Sequence, residues 1–168
     1  MKTFVILGMH RSATSLVAKG MSNIIHLGHV NDLLPPQADN PEGFYENMKF
    51  MDLNNRILFK AGGNWLEPPS HEAILKVKDE FQDEIKALVN EFSGYELWGW
   101  KDPRTCLTIS LFHEHLTNPH YVSIFRNPHE VANSLNKRNQ ISKQKAIRLC
   151  LEYNFRIIKF LNEKHLKL

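Results

Sequence analysis

The chain has 168 residues, of which 42% are hydrophobic and 23% charged, and its formal net charge is +3. That size and balance give one globular domain with a full core. So small a net charge excludes a nucleic-acid coat but leaves room for a local basic pocket that takes a small polyanion.

The first element is the apolar run at residues 3–8, which reads as a buried strand stopped by Gly8. It is too short for a signal peptide, His10 and Arg11 follow at once, and no small-residue cleavage site is suitably placed. A helix is expected from about Ala13 to Ile25. Residues 27–47 are irregular, broken by Pro35-Pro36 and Asn40-Pro41. A loop of that length in a compact domain is usually functional. Residues 48–61 read as helix. Residues 71–92 read as one amphipathic helix, with Ile74, Phe81, Ile85, Leu88 and Phe92 on its apolar face.

A second strand is expected over residues 95–101, ended by Asp102-Pro103-Arg104, with a helix to about Leu116. His120 to Phe125 gives the third strand. Asn127 caps the next helix, with Pro128 at its first position and Glu130 three residues after the cap. The last helix starts near Ser142 and carries Ile147, Leu151, Phe155, Ile158 and Leu161 on one face. Strands alternating with helices predict a three-layer α/β domain, a small parallel sheet flanked by helices. No apolar run approaches the ~20 residues of a membrane helix. Cys106 and Cys150, the only cysteines, make no disulfide framework, so a reducing, cytoplasmic location is expected.

The chemistry concentrates where strands end, because ligands of open parallel sheets bind at the carboxyl ends of the strands. After the first strand come Gly8, Met9, His10, Arg11, Ser12, Ala13, Thr14 and Ser15. Strand, polar loop and helix in that order make an anion cradle, in which backbone N–H groups and the helix dipole converge. The loop has the layout of a P-loop without its lysine: Ala13-Thr14-Ser15 stands where a nucleotide kinase carries Gly-Lys-Ser/Thr. Its strong cation is Arg11. After the third strand, Arg126-Asn127-Pro128 pairs a second arginine with a helix start, and Ser134 follows two turns on. Two such clusters suit a ligand with two separated phosphate groups.

These segments resemble the sulfotransferases that use 3′-phosphoadenosine 5′-phosphosulfate (PAPS), in particular bacterial members. In that family a Lys or Arg precedes Ser-Gly-Thr-Thr or Ser-Gly-Thr-Ser in the 5′-phosphosulfate loop; here the run is Arg11-Ser12-Ala13-Thr14-Ser15. The family's 3′-phosphate motif is Arg-Asn-Pro with a serine eight residues after the arginine, matched by Arg126 and Ser134. Asn40-Pro41-Glu42-Gly43-Phe44-Tyr45-Glu46-Asn47 and Trp100-Lys101-Asp102-Pro103-Arg104 are similar to further segments of bacterial members. Ala13 departs from the family's glycine, a substitution that matters if the position needs positive φ. The resemblance implies a single P-loop-like domain over residues 1–168 that lacks the C-terminal part usual in the family.

It also implies the reaction. A sulfuryl group moves from PAPS to a hydroxyl or amine of a small-molecule or carbohydrate acceptor, leaving 3′,5′-adenosine bisphosphate (PAP), and this logic requires no metal. Charge builds on the leaving phosphate, where Arg11 is the expected clamp, with Thr14 and Ser15 holding the 5′-phosphate. Glu46 is the expected base, with Glu42, Asp102 and His10 as alternatives. Lys101, Asp102 and Arg104, with Glu42, are candidate substrate contacts. Blander readings stand beside these: Glu46 as a helix cap, and Lys101 to Arg104 as an internal salt bridge. A P-loop nucleotide or small-molecule kinase and a non-catalytic nucleotide-binding relic are the alternative functions.

Overall fold

Three short apolar segments pair into one parallel sheet: β1 (Lys2–Leu7), β2 (Leu97–Lys101) and β3 (Pro119–Ser123), in the order β2-β1-β3. The computed structural model describes residues 1–37, 40–41 and 43–166. Val5 is in register with Trp100 on one side and Tyr121 on the other. Gly99 is required by this packing, since a Cβ there would lie 2.0 Å from the Phe4 carbonyl oxygen. Parallel strands put all three carboxyl ends on one edge, so Gly8, Asp102 and the segment after Ser123 meet there.

Seven α-helices surround the sheet among the described residues: α1 (Thr14–Met21), α2 (Met48–Lys60), α3 (His71–Lys76), α4 (Lys78–Asn90), α5 (Thr105–Phe112), α6 (Pro128–Asn139) and α7 (Lys143–Glu163). The chain is thus α/β with a small parallel sheet. No described helix is long and apolar enough to cross a membrane. One face of the sheet carries Val5, Leu7, Trp98 and Trp100 into the main core. There Phe50 stacks on Trp100 at 4.4 Å between ring centroids and Phe92 on Trp98 at 4.7 Å. The other face is thinner: Ile6 packs with Ala18, Ile25 and Leu27.

Local chemistry sets several helix starts. Asn47, Ser70, Asn127 and Ser142 each accept a bond from a backbone N–H in the first turn of α2, α3, α6 and α7. Two sequence expectations are corrected. The helix expected over residues 71–92 is two helices, because Val77 turns at φ −95° and ψ 3° and bonds back to the Ile74 carbonyl. That single turn lets Ile74, Val77 and Phe81 all enter the core.

The second correction concerns α7, whose buried face is not the one expected. Ala146, Leu149, Cys150, Tyr153, Ile157 and Phe160 are buried with Leu161, whereas Leu151, Phe155 and Ile158 are exposed. Two apolar stripes run along this helix, and polar anchors choose between them. The Tyr153 hydroxyl donates to the Trp65 carbonyl at 2.9 Å, and Arg156 Nη2 to the Pro69 carbonyl at 2.9 Å. Both bonds hold the Tyr153 side of the helix against the 65–69 segment.

The irregular 27–47 segment returns to its own start. Leu33 and Asn47 form an antiparallel bridge, the Leu34 N–H donates to the Glu46 carbonyl at 2.7 Å, and Asn47 Nδ2 donates to the Leu27 carbonyl at 3.4 Å. This closure delivers Glu46 to the sheet edge.

Candidate anion-binding site

Gly8 ends β1 where no side chain fits: a Cβ would lie 2.7 Å from Thr14 Cγ2 and 2.9 Å from the Ile124 carbonyl oxygen. Its N–H donates to Cys106 Sγ at 3.1 Å, fixing the loop's floor to α5. Burial pushes that thiol up to about 12, so it stays neutral. Arg11 and Ala13 both sit at φ 66°. Ala13 therefore occupies the left-handed conformation that favours the glycine it replaces, at a cost of roughly 1–2 kcal/mol. The sequence departure marks a real conformational demand.

A cavity of about 240 Å³ opens at this edge. Of the residues expected from sequence, His10, Arg11, Ala13, Thr14, Ser15, Glu46, Lys101 and Arg126 line it. Gly8 and Ser12 do not line it, and Ser12 is buried with its Oγ unpartnered among the described residues. Ser134 reaches the site through Arg11, whose Nε donates to Ser134 Oγ at 2.8 Å. Arg126 donates through Nη1 to the Arg11 carbonyl at 3.1 Å and through Nε to Glu130 at 2.8 Å. The two arginine clusters, read from sequence as separate, thus touch across one cavity.

The end of β2 supplies a buried charge cluster. Lys101 Nζ donates to Glu46 Oε1 at 2.7 Å and to Ser15 Oγ at 3.3 Å. A cation from β2 therefore stands beside the loop between β1 and α1, which has no lysine of its own. Asp102 Oδ1 accepts from Arg104 Nη1 at 2.7 Å and from the Arg104 backbone N–H at 3.2 Å. Its Oδ2 accepts from Asn54 at 2.7 Å. Arg104 Nη1 also lies 3.6 Å from Glu46 Oε2. Lys101, Asp102 and Arg104 form ion pairs within the protein, and only Lys101 of the three lines the cavity. Capping of α2 falls to Asn47, so Glu46 is free of that task. Glu42 lies outside the described residues.

His10 is held well below its ordinary range by burial first, then by the charges of Arg104, Lys101, Arg138 and Arg11. Its imidazole is therefore neutral, and its buried Nε2 has no partner among the described residues. Arg104 Nε is likewise buried and unpartnered. With Ser12 Oγ, these are unspent polar groups around the loop, the kind that a bound anion or its water satisfies.

Sequence reasoning missed Lys19 and Arg138, which also line the cavity, and it gave no role to Asn40, Phe44 and Tyr45, which line it from the run quoted as family-like. Lys19 and Arg138 were findable by helical spacing, each lying one turn beyond a chosen serine, Ser15 and Ser134. The Arg138 guanidinium lies 5.6 Å from the centroid of the Phe44 ring. Among the described lining residues, Arg11, Lys19, Lys101, Arg126 and Arg138 face the single carboxylate Glu46. That balance, with the first turn of α1, suits a multiply charged anion. Comparisons with family models, curated proteins and solved structures find no match to the chain.

Proposed function

We propose that the chain is a sulfotransferase of the PAPS-dependent, P-loop type, built as a three-layer domain. The observation that carries this reading is the meeting of Arg11 and Arg126 at one cationic cavity, with Ser134 bonded to Arg11, beside a phosphate loop without lysine. A bisphosphate needs two cationic ends, and the strand ends supply both.

In the reaction, the acceptor oxygen or nitrogen forms a bond to sulfur. The bond from sulfur to the 5′-phosphate oxygen breaks, and its electron pair leaves with the phosphate of PAP. The acceptor's proton passes to Glu46. Arg11 and the N–H groups at the start of α1 stabilise charge on the departing phosphate, a contribution of roughly 3–4 kcal/mol for one such donor. Lys101 bonds both Glu46 and Ser15, so it links the base to the phosphate end. The acceptor class is a hydroxyl or amine compound, and no step needs a metal.

The kinase alternative needs an acidic metal ligand at a strand end. Asp102 holds that position, but it is fully buried and both its oxygens already accept bonds from Arg104 and Asn54. This weighs against the kinase.

Calorimetric titration of the purified chain with PAP, AMP and Mg-ATP tests the reading. PAP is expected to bind tightest and without magnesium. Equal or tighter binding of Mg-ATP overturns the proposal. PAP binding without transfer to any acceptor supports the relic instead.

A further inference from the structure

The second apolar stripe of α7 faces solvent. Leu151, Phe155 and Ile158 are 52%, 59% and 38% exposed, and their spacings of four and three put them on one face. Among the described residues, no other helix exposes more than one large apolar side chain. Scattered exposed apolar residues need no explanation, but three along one helix face make a patch. The helix cannot roll to bury them, because Tyr153 and Arg156 are bonded inward to the Trp65 and Pro69 carbonyls.

The charges beside the stripe point to what covers it. Arg148, Glu152, Lys159 and Glu163 follow one another along one flank at spacings of four, seven and four, and each is exposed or partly exposed. The spacing is the same read from either end, and the signs run plus, minus, plus, minus. Reversing the direction therefore exchanges every sign. A second α7 laid antiparallel, about a twofold axis next to Phe155, sets its Glu163 opposite Arg148 and its Lys159 opposite Glu152. The twofold makes each contact occur twice. The same turn brings Leu151 toward Ile158 of the second copy and the two Phe155 rings toward each other. A parallel pair would set like charges side by side, which repel. The two acids also weigh against a lipid surface, which favours a cationic flank.

We infer that α7 is the twofold interface of a homodimer of this chain, in which Leu151, Phe155 and Ile158 make the contact and the four charges set its antiparallel direction. Glu152 already accepts from Arg156 of its own chain at 2.7 Å, and Lys159 lies 3.8 Å from Glu163. The charges across the interface therefore govern orientation more than strength. One helix face is at the small end of specific interfaces, so the dissociation constant is expected on the order of 10 μM. The inference stands apart from the reading of the cationic cavity.

Sedimentation equilibrium of the full chain from about 1 to about 200 μM tests it. The average mass should rise from the 19.6 kDa of one chain toward twice that value. Phe155→Glu should weaken association at least about tenfold, and a melt at about 1 μM, where both proteins are monomers, checks that the variant folds. Glu152→Lys and Lys159→Glu should each weaken it about three- to tenfold alone. Mixed in equal amounts, these two variants should associate within about twofold of the original, because each offers the other opposite signs. A chain that stays monomeric throughout, a dimer that ignores Phe155→Glu, or a mixture no tighter than either variant alone overturns the proposal. Cosedimentation of the monomer with phosphatidylcholine vesicles, lost in Phe155→Glu, would assign the stripe to a lipid surface instead.

Discussion

The end of β2 and the ends of β1 and β3 carry similar charges and use them oppositely. At β2, Lys101, Asp102 and Arg104 meet Glu46 with side chains 1%, 0%, 12% and 8% exposed. Two cations and two carboxylates offset one another there, as buried charges must when they leave water. At β3, the Arg126 side chain is 41% exposed and shares Glu130 with solvent. Buried ion pairs set geometry and resist change, whereas the solvent-exposed Arg126–Glu130 pair contributes little to stability.

The largest expected effect breaks the buried half. Asp102→Ala leaves Arg104 and Asn54 without their shared acceptor and should cost about 3–5 kcal/mol of stability, read from the midpoint of urea unfolding. A loss below about 1 kcal/mol would place Asp102 among the weakly contributing surface charges.

A smaller effect should come from pH. His10 is held below its ordinary value of 6.5 by burial and by the surrounding cations. Well above pH 6.5 both folded and unfolded chains hold it neutral. As pH falls below 6.5, the unfolded chain binds a proton that the folded chain resists, so stability declines with acidification. His10→Phe should flatten that decline, measured by thermal melts between about pH 6.5 and 5. His26, His71 and His113 are also lowered, mainly by burial, and should leave a residual slope in the variant. An unchanged slope would remove His10 from the buried set.

The smallest effect on stability should come from the exposed half. Arg126→Ala is expected to change unfolding free energy by no more than about 0.5 kcal/mol. It should nonetheless weaken PAP much more than AMP in calorimetry. An equal loss for both ligands would remove Arg126 from the 3′-phosphate end.

The strand, loop and helix over residues 2–21 were legible because their parts are neighbours in sequence. An apolar strand, Gly8, a polar turn and a helix follow one another within a few residues, and local hydrogen bonding decides them. The cap of α6 was legible for the same reason, with Asn127 and Pro128 adjacent. Ala13 was flagged as a departure, and its positive φ shows why a glycine suits that position. Less was legible where two solutions fit one pattern. α7 carries two apolar stripes, and the bonds from Tyr153 and Arg156 choose between them. The break at Val77 has no proline or glycine to announce it; packing of three buried side chains produces it.

The sequence by itself determined the alternation of strands and helices, the glycine-led loop between β1 and α1 and the residue types at each strand end, all properties of short range. Tertiary structure decided which charges pair and which face the cavity. Glu46 meets Lys101 across 55 positions, and Arg11 meets Ser134 across 123. Neither separation has a local signature, because the 27–47 segment folds back to bring Glu46 to the end of β2, and β3 and α6 bring Ser134 beside the end of β1, on the same sheet edge. The same edge places Lys101 beside a loop that lacks its own lysine, which no reading of the loop alone supplies.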